Sequence, residues 1–169
     1  MLDFVVNESF EKMLLKTIKF VLSFILFFFL LSSNISGQES FLCTRVIDGD
    51  TIVVEMNGKE ERVRLIGVDT PETVHPEKPV EYFGKEASEF TKSMVEGKRV
   101  RLEYDWQDRD KYGRLLAYVY LEDGTFLNAE IIKQGFGFAY TRYPFKFLEE
   151  FRQYEREAKE NGKGLWQEK

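Results

Sequence analysis

Between Arg64 and Glu72 the chain reads Arg-Leu-Ile-Gly-Val-Asp-Thr-Pro-Glu: a basic residue opens the segment and two carboxylates, Asp69 and Glu72, close it. Such a trio suits chemistry on a phosphate. Carboxylates hold a hard cation and orient water, and an arginine grips phosphoryl oxygens through paired N–H groups. Asp48-Gly49-Asp50-Thr51 upstream and Asp110-Lys111-Tyr112-Gly113-Arg114 downstream add residues of the same types. Read jointly, the three segments point to metal-dependent cleavage of phosphodiesters. Each is weaker alone: Asp-Gly-Asp commonly makes a turn, and an arginine after Tyr-Gly is commonly a solvated strand residue. An EF-hand reading fails, because Ile52 and Val53 stand where that loop needs oxygen donors and turn residues.

Other chemistries are excluded by what the chain lacks. A single cysteine, Cys43, permits no intramolecular disulfide, and a single histidine, His75, excludes mechanisms that need two. The same counts argue against a Cys/His zinc site. Cys43, in the apolar run Phe41-Leu42-Cys43, reads as a small buried hydrophobe. His75, between Val74 and Pro76, reads as an exposed loop side chain. The formal charge of −5 argues against strong binding of nucleic acid through counterion release. It is compatible with a modest affinity and a site that carries its own cation.

The first 37 residues stand apart. Lys16 and Lys19 precede an uncharged run from Phe20 to Gln38, apolar from Phe20 to Leu31, and then come Ser32, Ser33, Ser36 and Gly37. A basic start, a short apolar stretch and a small-residue exit form the signature of a secretory signal peptide. The apolar heart falls short of the ~20 residues of a spanning helix, so cleavage is expected ahead of a retained anchor over residues 18–37. Asp3, Glu8 and Glu11 suit such a leader poorly, and initiation at Met13 would give it an ordinary basic start. The expected organisation is therefore a leader, 1–37, and one domain, 38–169, secreted or periplasmic.

The elements that must position the chemistry are legible next. Sixteen phenylalanines supply ample core for one domain. Strand-like runs cover 45–48, 51–56, 61–66, 99–104 and 115–121, with Asn57-Gly58 as a hairpin turn. In the third run Val63 and Leu65 point one way, and Arg62 and Arg64 the other. Residues 69–81 read as loop. Phe83, Ala87, Phe90 and Met94 recur at helical spacing before Gly97. A short helix is predicted over 128–134, and a last one carries Phe147, Phe151, Tyr154 and Ala158. Five strands, with a helix between the third and fourth and about three helices in all, predict an α+β, mainly β, closed barrel of the OB type. Tyr112, Tyr140 and Tyr143 would be available there to stack on bases.

Val46-Ile-Asp-Gly-Asp-Thr51, Val63-Arg-Leu-Ile-Gly-Val-Asp-Thr-Pro-Glu-Thr73, Gly84-Lys-Glu-Ala-Ser88, Asp110-Lys-Tyr-Gly-Arg-Leu-Leu-Ala-Tyr118 and Asn161-Gly-Lys-Gly-Leu-Trp166 occur in that order. Over roughly residues 42–166 the chain thereby resembles the staphylococcal (micrococcal) nuclease family. The resemblance implies that Asp50, Asp69 and the Thr70 carbonyl ligate Ca²⁺, with Asp48 just outside that shell. It implies that Glu72 positions or deprotonates the attacking water and that Arg64 and Arg114 hold the scissile phosphate. Lys111 and Tyr112 would contact a terminal phosphate, and Tyr140 would stack on a base. The family's paired tyrosines are one residue apart; here Tyr140-Thr-Arg-Tyr143 leaves Arg142 or Tyr143 for the second place. The acidic balance also departs from the basic character of the family's best-known member. The implied activity is that of a secreted calcium-dependent endonuclease acting on DNA and RNA with little sequence preference. It would favour single strands, leave 3′-phosphate ends, and work as a monomer with no stable protein partner. The alternative is a non-catalytic OB module that binds nucleic acid or protein; such a relative should have lost Glu72, Arg64 or Arg114, and all three are present.

Overall fold

The computed structural model describes residues 13–21, 39–73 and 81–167. The chain divides into two compact units, Met1–Gln38 and Glu39–Lys169. In the first, residues 13–21 are helical. No helix among the described residues is long and apolar enough to cross a membrane. Most of the expected leader, and residues 74–80 with His75, for which a loop is expected, lie outside the described residues.

The second unit is built on a five-stranded barrel. Its strands are β1 (Ser40–Asp48), β2 (Thr51–Met56), β3 (Lys59–Leu65), β5 (Arg99–Glu103) and β6 (Leu115–Leu121). They close in the order β1-β2-β3-β6-β5, which is the OB barrel expected from the pattern. β1 starts at Ser40 rather than Arg45, because its first residues pair with β5 (Ser40 opposite Arg101, Leu42 opposite Arg99) and so close the barrel. The β2–β3 hairpin turns through Asn57 and Gly58, both at positive φ (52° and 72°), as a twist-matched two-residue loop requires. β3 and β6 pair in parallel, with Val63 opposite Leu115 and Leu65 opposite Ala117.

Alternation places Cys43, Ile52, Val54, Val63, Leu65, Val100, Ala117 and Val119 in one apolar core. The helices α1 (Gly84–Val95), α2 (Leu127–Lys133) and α3 (Leu148–Glu160) cover it, followed by a 3₁₀ turn, Gly164–Trp166. Ala87 and Val95 of α1, Ile131 and Ile132 of α2, and Phe151 of α3 are fully buried. Two very short strands were not anticipated, β4 (Val68–Asp69) and β7 (Phe138–Ala139). They pair with each other, Val68 opposite Ala139. Two residues are too few for periodicity to reveal. Their pairing holds the start of the acidic loop against the segment that carries Tyr140.

Candidate active site

The turn Asp48-Gly49-Asp50 joins β1 to β2, and its glycine is required by space. A Cβ on Gly49 would stand 2.8 Å from Thr70 Oγ1 and 2.9 Å from Thr70 Cβ. Its carbonyl accepts the Thr91 hydroxyl of α1 at 2.6 Å. Thr70 therefore closes over the turn, and its N–H donates to Asp50 Oδ2 at 3.1 Å. Thr70 Oγ1 is buried and has no hydrogen-bond partner among the described residues. The Thr51 hydroxyl donates to the other Asp50 oxygen at 2.9 Å.

Arg64, near the end of β3, reaches both acids. It stands 2.9 Å from Asp50 Oδ2 and 3.1 Å from Asp69 Oδ1. It also donates to the Val68 carbonyl at 2.7 Å. With only 15% of its side chain exposed, the guanidinium is held in place. Burial raises the Asp69 carboxyl above its ordinary range, with Arg64 opposing and Asp50 and Glu81 adding. Asp48 accepts the Gly49 N–H and the Thr73 hydroxyl, each at 2.8 Å. Burial pushes it up to about 6, helped by Asp50 and Glu72, with the Thr73 hydroxyl and Gly49 N–H opposing.

Glu72 lies on the loop that follows. The Thr73 N–H donates to its Oε1 at 3.1 Å. Its own N–H donates to Glu81 Oε2 at 3.2 Å, and the Glu81 N–H donates back to the Glu72 carbonyl at 3.0 Å. Gly84 lets α1 start against this loop, since a Cβ there would meet the Pro71 and Glu72 carbonyl oxygens at 3.1 Å. Glu81 thus ties down the Glu72 backbone, a role that spacing alone did not signal.

A cleft of about 480 Å³ opens beside this acidic group. Lys111, Tyr112, Arg114, Tyr140, Arg142 and Tyr143 line it, together with Arg64 and Asp69. Asp48, Asp50, Thr70 and Glu72 stand outside its wall, so Arg64 and Asp69 are the residues common to both groups. Tyr112 is 72% exposed, with Lys111 Nζ 4.9 Å and Arg114 Cζ 5.4 Å from its ring centre. The Tyr140 and Tyr143 rings are 6.2 Å apart and tilted by 51°. Arg142 Cζ lies 5.9 Å from the Tyr143 ring centre, so both candidates for the second tyrosine position face the cleft.

Two anchors of these walls were not foreseen. Asn128 is fully buried; its side chain accepts the Val119 N–H at 2.9 Å and donates to the Ile66 carbonyl at 2.9 Å. It thereby fixes the turn between β3 and β4. In that turn Gly67 has φ 74°, and a Cβ there would stand 2.6 Å from the Phe145 ring. The Ile66 contact spans 62 positions, so no local pattern announces it.

The donors that could hold a metal are hard oxygens: the Asp50 and Asp69 carboxylates and the Thr70 carbonyl. That set fits a cation such as Ca²⁺ and not a soft metal. Among the described residues no group of three or more His, Cys, Asp or Glu side chains could hold a metal, so carbonyl, water or substrate oxygens would complete the shell.

The sequence matches the family described as staphylococcal nuclease homologue over residues 62–168, a span that begins after Asp48 and Asp50. It is 49% identical over 139 residues to a thermonuclease of Staphylococcus intermedius, covering 80% of each chain. It is 46% identical over 132 residues to a thermonuclease of Staphylococcus hyicus, covering 78% of each. It is 45% identical over 138 residues to the endonuclease YncB of Bacillus subtilis (strain 168), covering 80% of this chain and 65% of that one.

Proposed function

The chain belongs to the staphylococcal nuclease family and is a nuclease on that footing, and we propose that it is a calcium-dependent endonuclease cutting DNA and RNA with little sequence preference. The observation that carries this reading is the shared position of Arg64 and Asp69. They belong at once to the acidic group and to the wall of the cationic, aromatic cleft.

Asp50, Asp69 and the Thr70 carbonyl would hold the cation, with Asp48 just outside. Bound there, calcium supplies Lewis-acid polarisation of a phosphoryl oxygen. Arg64 and Arg114 donate N–H groups to the scissile phosphate, and those bonds strengthen as charge grows on its oxygens. Glu72 orients a water or takes its proton, and that water attacks phosphorus. The 5′-oxygen leaves and the phosphate stays on the 3′ end. Lys111 and Tyr112 contact a terminal phosphate. Tyr140 stacks on a base, and Arg142 or Tyr143 fills the neighbouring place. Contacts to phosphates and base faces carry little sequence information, and stacking needs a base out of the duplex, so single strands are preferred. The Lys16–Gly37 pattern supports export, with residues 1–37 as leader and 38–169 as a monomeric enzyme.

The test is hydrolysis of denatured DNA by the purified chain, with Ca²⁺ and with chelator, beside Glu72→Gln and Arg114→Ala. Calcium-dependent cleavage that collapses in both variants is expected. A normally folded protein that cleaves nothing under any metal would transfer the cleft to a binding module.

A further inference from the structure

We infer that Trp106 is a base-stacking platform that extends the cleft to a second nucleotide; this rests on reading the cleft as a nuclease site. The indole lines the cleft and is 66% exposed, yet it is pinned. Its Nε1–H donates to the Pro144 carbonyl at 2.9 Å, and its backbone N–H donates to Asp105 Oδ1 at 2.8 Å. The other Asp105 oxygen accepts the Tyr118 hydroxyl at 2.5 Å and the Lys146 N–H at 2.9 Å. Tyr118 itself is fully buried. Through these bonds the loop that carries Trp106 is fastened to the core and to the segment that carries Tyr140 and Tyr143.

Leaving so large an apolar surface in water is unfavourable, and a side chain fixed in place has already lost its rotamer freedom. A fixed, exposed ring in a cleft wall is therefore pre-organised for a ligand. Among the described residues no other aromatic ring stacks on it, and two-thirds of it is open to solvent. Arg64, Lys111, Arg114 and Arg142 line the same cleft against three carboxylates, Asp69, Asp105 and Asp110, which leaves one positive charge in excess there in a chain of net charge −5. That local reversal of sign suits a polyanion, and an indole face stacks on any base. A mononucleotide can occupy the tyrosine wall alone, whereas a longer strand can reach Trp106 as well.

The experiment uses the purified full chain in chelator, titrated with a single thymidine nucleotide and with a single-stranded oligothymidylate. The chain has two tryptophans, and Trp166 packs edge-on to Phe138 with Lys159 over its ring, so ligand-dependent emission reports on Trp106. The oligonucleotide should quench that emission and the mononucleotide should not. Trp106→Ala should raise the oligonucleotide Kd by roughly tenfold, the scale of one lost base stack, and leave the mononucleotide Kd unchanged. In cleavage assays it should raise KM for oligonucleotides and leave kcat as it was. Trp106→Phe should restore most of the affinity, which separates stacking from a structural loss. Equal weakening of both ligands, or no weakening of either, would overturn the platform while a cleaving wild type kept the nuclease reading. A wild type that binds oligonucleotide through Trp106 but cleaves none would overturn the nuclease reading and leave the platform.

Discussion

Asp110 Oδ2 accepts the Nε–H of Arg114 at 2.7 Å, while Asp110 Oδ1 accepts the backbone N–H groups of Tyr112 and Arg114. One carboxylate therefore sets both the shape of the loop and the aim of the guanidinium. Asp110→Ala should lower kcat/KM by about tenfold or more, the scale of a lost charge-assisted bond. Asp110→Glu should recover little, because the longer side chain cannot serve both backbone N–H groups. Steady-state kinetics on denatured DNA, with circular dichroism as a check on folding, reads this directly.

Calcium binding should also be visible without turnover. Asp50 and Asp69 both face Arg64, and a cation at their oxygens favours the folded chain only if they hold it together. Saturating Ca²⁺ should raise Tm, since a ligand at a hundred times its Kd adds about 2.7 kcal/mol. Asp69→Asn should abolish the calcium-dependent part of that rise. A scan with and without chelator separates this from any change in baseline stability.

Acid stability should depend on Asp105. Burial alone would raise its carboxyl, but the Tyr118 hydroxyl and the Lys146 and Trp106 N–H groups outweigh it and hold it below the ordinary range. A depressed carboxyl contributes stability above its unfolded pKa, near 3.9, and loses it as pH falls through the lower folded value. Asp105→Asn should therefore lower Tm at pH 7, and its deficit against wild type should shrink below about pH 4. Tyr118→Phe should destabilise by about 1–3 kcal/mol at neutral pH, because it leaves Asp105 short of a donor.

Cys43 gives an alkaline counterpart. Burial, with the Glu96 carboxylate adding, pushes its thiol up to about 11. A raised thiol stabilises the fold fully below its unfolded pKa of about 8.5, and that contribution is lost as pH climbs toward the folded value. Thiol reagents at pH 8 should modify Cys43 only as fast as the protein unfolds. Cys43→Ala should flatten the alkaline decline of Tm.

What the sequence made legible follows from distance along the chain. Val63 and Leu65 announce their inward face by alternation, and Arg64 inherits the opposite one. The Asn57-Gly58 turn and the helix over Gly84–Val95 are equally local, and both were readable. The acids and arginines stood out because their types are costly to bring together without a purpose. Glu81, Asn128, Asp105 and Trp106 escaped because each acts through a partner that only the fold supplies. Asp105 meets Lys146 across 41 positions, and Asn128 meets Ile66 across 62. β4 and β7 escaped for the same reason, being defined by their mutual pairing alone.

The parallel seam between β3 and β6 has a kinetic meaning. Arg64 lies in β3 and Arg114 one residue before β6, and the stretch between them contains α1 and β5. Hairpins such as β1–β2–β3 can form early from neighbouring sequence, but this seam, like the one between β1 and β5, joins distant segments and is an entropically expensive closure. Until it zips, the two arginines belong to separate pieces of chain and no half-finished molecule can cut. On refolding, cleavage should therefore return as a single late phase, after most strand signal has recovered. A newly made chain would stay inert until its last barrel strand had docked.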